Sequence, residues 1–301
     1  MSDKLLTHHS SLITQSLYKV GVIRPMKFSQ VRIGILVLVV LISASGCGYI
    51  NGLRSKNELN KVAQSYKEKK FAEAEMHAKR ALELDPDNEN APVFIARTIH
   101  AQYRKGVDSP ENIAKANEAI QAYKDIAKKD PNNDEAFTAV TVLLGSLNKP
   151  DEQRAWVEER ANNGGVEPKK RADALAFLAS KDWECSNQVT DSPSNQQKVE
   201  KGSTVVLVYI KPKDTAEYDK AVRCMTVGLE KAENAIKLDN DNEKAWSQKY
   251  NLLLEAKKLA QMDEKADKAA EIAKQAEEAL KRTQALYEKK KAAQPPPAAA
   301  S

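Results

Sequence analysis

Aromatic residues are scarce in this chain, 6% of 301 positions, and cysteine occurs three times and histidine four times. Each shortage excludes something. His8 and His9 stand near the N-terminus, and His77 and His100 have no second ligand at helical spacing, so neither a zinc site nor a triad is expected. No Cys-x-x-Cys occurs, which removes the common thiol redox motif. The eleven glycines never cluster into a phosphate loop, and Gly164-Gly165 reads as a turn. The turns "DPDNEN" and "DNDNEK" lack the glycine and the terminal glutamate of a calcium loop. Charge of one sign is also missing. Of the net +5, +4 comes from the first 47 residues, where Lys4, Lys19, Arg24, Lys27 and Arg32 face Asp3 alone. The remainder is almost balanced and offers no electrostatic footprint for nucleic acid. No metal, no cofactor, no nucleic acid and no enzymatic activity are therefore expected.

What the chain has is helical periodicity with repeated stops. Charged residues make up 30% of it, and Ala, Glu and Lys dominate its long stretches. In "FAEAEMHAKRALELDPDN", Phe71, Ala74, Ala78 and Ala81 share one helical face, and Asp85-Pro86 ends the helix, because the residue before a proline is pushed out of the α region. The stop recurs as Asp130-Pro131-Asn132-Asn133 and as Asp239-Asn240-Asp241-Asn242. Phe71, Ala74, Ala81, Leu82 and Pro86 match the aromatic, small, small, apolar and proline positions of a tetratricopeptide repeat, although Glu58 and Val62 stand at its usual Trp and Gly places. Trp246 falls on the Trp position of the last unit. The segment 57–291 thus resembles a tetratricopeptide-repeat array. The resemblance implies an all-α superhelix of four to five helical pairs, since such pairs bury their apolar faces only by stacking.

The expected helices run over about 57–66, 71–84, 91–104, 113–129, 135–147, 151–161, 169–178, 215–238, 243–261 and 263–291. The pattern breaks at about 183–213, where Thr204 to Ile210 is β-branched and Lys198 to Lys201 offers a hairpin partner, so a small β insertion is expected there. Glu184, Asp191 and Glu200 form no catalytic constellation within it. The thin stripe Ala269, Ile272, Ala276, Leu280 and Leu286 suits a capping helix better than a coiled coil. Residues 292–301, with Pro295-Pro296-Pro297, read as a disordered tail.

Arg32 is followed by an uncharged apolar run and then Ala44-Ser45-Gly46-Cys47. This resembles a bacterial lipoprotein signal, which implies lipidation of Cys47, cleavage before it, and a short tether over 48–56. Met26 is a plausible true start. The chain is then expected to face the periplasm, at the outer membrane if the host is diderm; the alternative is an inner-membrane signal anchor. In an oxidising compartment, Cys185 and Cys224 are left either as a disulfide or as two buried thiols.

The resemblance also supplies groove positions, because the first helix of each pair lines the concave face. They are Asn90, Val93, Arg97, His100, Thr138, Lys244, Ser247 and Asn251. A protein or extended-peptide partner is implied, and with it a scaffold in envelope or pilus assembly. The carboxylate-clamp variant of such grooves is not expected, since Phe94 stands where its second Asn belongs. The alternative is a structural protein that self-associates through its C-terminal helix.

Overall fold

A computed structural model describes residues 49–293. Ten α-helices follow one another: α1 (49–67), α2 (Phe71–Leu84), α3 (Asn90–Gln102), α4 (Pro110–Lys129), α5 (Asp134–Ser146), α6 (Pro150–Asn162), α7 (Pro168–Thr190), α8 (Thr215–Leu238), α9 (Glu243–Met262) and α10 (Ala266–Ala292). Strands β1 (Gln196–Lys201) and β2 (Thr204–Tyr209) form one hairpin between α7 and α8. Consecutive helices pack on each other from α2 to α7 and from α7 to α10, and α7 also reaches α9. The product is an all-α solenoid of five helical pairs with the β hairpin inside the fourth.

The turns between pairs explain where the helices stop. Asp85, Asp130 and Asp239 each close a helix with an extended backbone, donating N–H to the carbonyls of Ala81, Ile126 and Ala235. Their own carbonyls accept from Asn88, Asn133 and Asn242, each at 3.0 Å. The side chains of those asparagines then accept from the first N–H groups of the next helix, such as Ala91, Ala136 and Ala245. One four-residue unit therefore ends one helix and caps the next. Asn240 replaces proline in the third turn without changing these bonds, because the aspartate and the asparagine make them.

The core is built mainly from alanine. Ala74, Ala78, Ala81, Ala91, Ala96, Ala116 and Ala119 are fully buried, as are Ala172, Ala179, Ala221, Ala232, Ala235 and Ala245. Small side chains let helix backbones approach closely, which is how so few aromatics suffice. Such a close approach is made at Gly228 of α8. A Cβ there would stand 2.8 Å from Cβ of Asp182 and 2.8 Å from Cδ2 of Leu252. Asp182 cannot yield without moving α7, so Gly228→Ala is expected to cost about 1–3 kcal/mol. A lower urea midpoint with an unchanged slope is the check.

Several expected boundaries move. Residues 49–56 are helical and belong to α1 rather than to a tether. Ser55 is fully buried there, donating to Ala81 O at 2.8 Å and accepting from Asn88 Nδ2 at 3.1 Å. Helix α7 continues twelve residues past Leu178, so the β insertion begins near Pro193 rather than at Trp183. Helix α4 starts at Pro110, capped by Ser109, and absorbs part of the expected loop. The stripe of α10 is occupied within the chain: Ala269, Ile272, Ala276 and Ala279 pack against Leu253, Ala256 and Ala260 of α9. Among the described residues, no helix is long and apolar enough to cross a membrane. Cys47, the leader and most of the Pro/Ala tail lie outside the described residues.

Cys185 and Cys224 form a disulfide, with Cα atoms 5.9 Å apart. It joins α7 to α8, not the β insertion to a helix, because Cys185 lies within α7.

Candidate peptide groove

The first helices of the third, fourth and fifth pairs converge on a cleft of about 500 Å³. Helix α5 contributes Phe137, Thr138, Thr141 and Val142, α7 contributes Ala176, Phe177 and Ser180, and α9 contributes Lys244 and Gln248. The lining is mostly apolar. Cations at its rim are already paired across helices, Lys244 with Asp173 at 3.5 Å and Lys170 with Asp134 at 3.7 Å. The cleft therefore presents an apolar floor with compensated charge, and no free cationic patch.

Arg160 of α6 closes the end of this cleft. It is 7% exposed, and its guanidinium carbon stands 4.2 Å from the Phe137 ring centroid. It donates to the Asp134 carboxylate, and Nη1 reaches the Asn133 carbonyl at 3.4 Å. Its Nε is buried and donates to nothing. Among the described residues, one other buried side-chain atom lacks a partner: Gln248 Oε1, in the same cleft. A donor and an acceptor thus stay unsatisfied on two residues that line the same cleft. Leaving such groups buried costs about 1–3 kcal/mol each, so a ligand that pairs them gains that amount back.

A second cleft, of about 440 Å³, lies towards the N-terminal pairs and is lined by Tyr66, Arg97, His100, Tyr123 and Val142 among others. Arg97 holds Glu135 with two donors, and this keeps the Glu135 carboxyl below its ordinary range. His100 packs edge-on against Tyr123 with centroids 5.8 Å apart. Burial lowers the His100 pKa and raises that of Tyr123 to about 12. A histidine with a depressed folded pKa contributes stability above its ordinary value of 6.5 and loses it as pH falls below that value. Acidification from pH 7 to pH 5 is therefore expected to destabilise the native chain more than His100→Phe, as read by denaturant midpoints at each pH.

The other groove positions spread. Thr138 and Lys244 line the larger cleft, and Arg97 and His100 line the smaller one. Val93 packs against the core cluster of Ala96, Ile99 and Tyr123. Asn90 is exposed at the start of α3, and Ser247 and Asn251 are half-buried on α9, lining neither cleft. Arg160 and Gln248 were not among the positions that the repeat pattern supplies. Arg160 lies on a second helix, and Gln248 is one residue beyond an expected groove position. Among the described residues, no group of three or more His, Cys, Asp or Glu side chains is placed to hold a metal ion.

No family model matches the chain, and no curated protein matches it either. Solved structures do. The chain is similar to MamA protein at 14% identity, covering 77% of this chain and 95% of that one, with a TM-score of 0.39. It is similar to a TPR repeats protein from Bacteroides fragilis at 14% identity, covering 66% of this chain and 81% of that one, with a TM-score of 0.44. It is also similar to YrrB, described as a TPR protein with an unusual peptide-binding site, at 13% identity, covering 78% and 90%, with a TM-score of 0.36. Identities and scores this low leave these as likenesses between helical-repeat proteins, and the fold of this chain rests on its own five pairs.

Proposed function

We propose that this protein is a membrane-anchored, exported scaffold that docks an extended peptide segment of another protein in its concave groove. The observation that carries this reading is a mostly apolar cleft shared by three first helices, whose lining includes one unsatisfied donor, Arg160 Nε, and one unsatisfied acceptor, Gln248 Oε1. An extended peptide brings both kinds of group along its backbone, carbonyls that accept and N–H groups that donate. A neighbouring apolar side chain of the same peptide fits against Phe137 and Phe177. The paired charges at the rim discriminate little between acidic and basic segments.

Export is supported by the Cys185–Cys224 disulfide, since such bonds persist in oxidising compartments. The Cys47 signal supports a lipid anchor that holds the solenoid at the envelope, facing the periplasm. Work of this kind, in envelope or pilus assembly, needs binding surface and no chemistry.

Selection from a random library of unstructured peptides tests the groove. Enriched peptides are expected to share an apolar residue, and Thr138→Arg, which fills the cleft, is expected to weaken them by about tenfold or more, equal to 1.4 kcal/mol. Equal binding by the filled variant, or enrichment of nothing, sinks the reading.

A further inference from the structure

The β hairpin is the one element that its own fold does not explain. Its base is pinned: Asn195 is buried, donates Nδ2 to the Val189 carbonyl at 2.8 Å, and receives the Ile210 N–H at 2.9 Å. Tyr209 packs with Val189, Tyr218, Leu259 and Met262. Beyond this base the hairpin stands in solvent. Val205 is 63% exposed and Leu207 42%, and Val206 and Val208 are exposed on the opposite face. A strand apolar on both faces is the pattern of a strand in the middle of a sheet, yet β2 lies at an edge.

The two edges differ. Strand β1 reads Gln-Gln-Lys-Val-Glu-Lys, and its charges blunt its outer edge in the usual way. Strand β2 reads Thr-Val-Val-Leu-Val-Tyr and carries no charge. The register fixes which of its backbone groups are free. Lys201 faces Thr204 across the two-residue turn, and the Ile210 N–H bonds to Asn195. Alternate residues between these two pairs, Val206 and Val208, therefore bond to β1. Val205 and Leu207 turn their N–H and C=O groups outward, and among the described residues no backbone hydrogen bond reaches that side of them.

We propose that β2 pairs antiparallel with β2 of a second copy of this chain. The two-fold axis passes at Val206, so Val205 of each copy lies opposite Leu207 of the other and Val206 faces itself. This makes a four-stranded sheet in the order β1-β2-β2-β1. Both uncharged strands become central and both charged strands become edges. A second copy fits better than a foreign strand, because it brings its own blunted edge and the assembly closes at two. The contact is isologous, and it brings Val205, Val206, Leu207 and Val208 together, with Thr204 opposite Val208 at its ends. A lipid surface fits less well, since the hairpin tip Lys201-Gly202-Ser203 is polar. This pairing is independent of the groove.

Cysteine cross-linking in the full chain at its membrane tests this. At the two-fold, residues facing across a non-hydrogen-bonded pair have Cα atoms about 4.5 Å apart, within disulfide range. Val206→Cys is expected to give an oxidant-dependent dimer of twice 33.3 kDa, less any processed leader, above the background of the parent chain with its Cys47. Lys198→Cys is not, because two strands separate its two copies. Adding Leu207→Pro to Val206→Cys should abolish the dimer, as proline removes an outward N–H and leaves the hairpin bonds intact. Val205→Lys, which adds a charge to the edge, should do the same without a proline. Retention of the Cys185–Cys224 bond shows that the variants fold. No dimer from Val206→Cys overturns the proposal. So does equal cross-linking from Lys198→Cys, a dimer indifferent to both edge variants, or a dominant mixed disulfide with another protein.

Discussion

Glu255→Ala is expected to remove about 3–5 kcal/mol of stability, the range for breaking a buried charge pair from one side. Glu255 is 1% exposed on α9 and collects four donors. Its Oε2 accepts from Thr190 Oγ1 at 2.5 Å and from Ser186 Oγ at 3.4 Å. Its Oε1 accepts from Asn187 Nδ2 at 3.1 Å and from Lys258 Nζ at 2.7 Å. Three of these donors lie on α7, so one carboxylate ties α7 to α9. Its removal strands two fully buried hydroxyls and leaves Lys258 with Asp191 alone as its ion-pair partner. Burial disfavours the Lys258 ammonium, but its hydrogen bonds to Asp191 and Glu255 outweigh that and raise its pKa. A raised lysine pKa contributes stability that is fully present below the ordinary value of 10.5 and lost only above it, so this contribution stays flat across neutral pH. Urea unfolding of Glu255→Ala, Lys258→Ala and the double variant measures the coupling. A loss below 1 kcal/mol for Glu255→Ala would mean that α7 and α9 are held by their apolar contacts alone.

Reduction of Cys185–Cys224 is the second large effect. The bond closes a loop with a sequence separation of 39. The chain-entropy account gives about 3–4 kcal/mol for a loop of this size. At about 2–4 °C per kcal/mol for a domain this long, that is a fall of roughly 6–16 °C in Tm. The double variant Cys185→Ala/Cys224→Ala should melt with the reduced native chain and be indifferent to reductant. A native chain whose Tm ignores dithiothreitol, with thiols shown to be free, would refute the expectation.

The same two ties explain which parts of the fold were legible from sequence. Helix α2 and the stops at Asp85, Asp130 and Asp239 were readable because local bonds decide them: an aspartate carbonyl and an asparagine cap need no distant partner. The last twelve residues of α7 were not. Cys185, Ser186, Asn187, Val189 and Thr190 all have modest helix propensity, and their local sequence argues against a helix. Tertiary partners overrule it, Glu255 for Ser186, Asn187 and Thr190, and Cys224 for Cys185. Residues 49–56 misled for the same reason, since Ser55 is polar in sequence but buried against α2. The groove was half legible. Repeat arithmetic reaches first helices such as α5 and α9, hence Thr138 and Lys244. Arg160 enters from α6 only because Phe137 and Asp134 seat it, which no spacing announces.

The position of the disulfide has a mechanical consequence. If the chain is anchored at one end and gripped by a partner, as proposed above, it is loaded in tension along the solenoid axis. Stacked pairs that touch only their neighbours then peel off one at a time. Pairs held by alanine contacts, such as α1 with α2 and α3 with α4, have no covalent stop. The stretch from Cys185 to Cys224 cannot pay out, and about 130 Å of extended chain is withheld from any pull. The whole β hairpin lies inside that withheld stretch, so under such a pull it would keep its shape while the helices on the N-terminal side yield first.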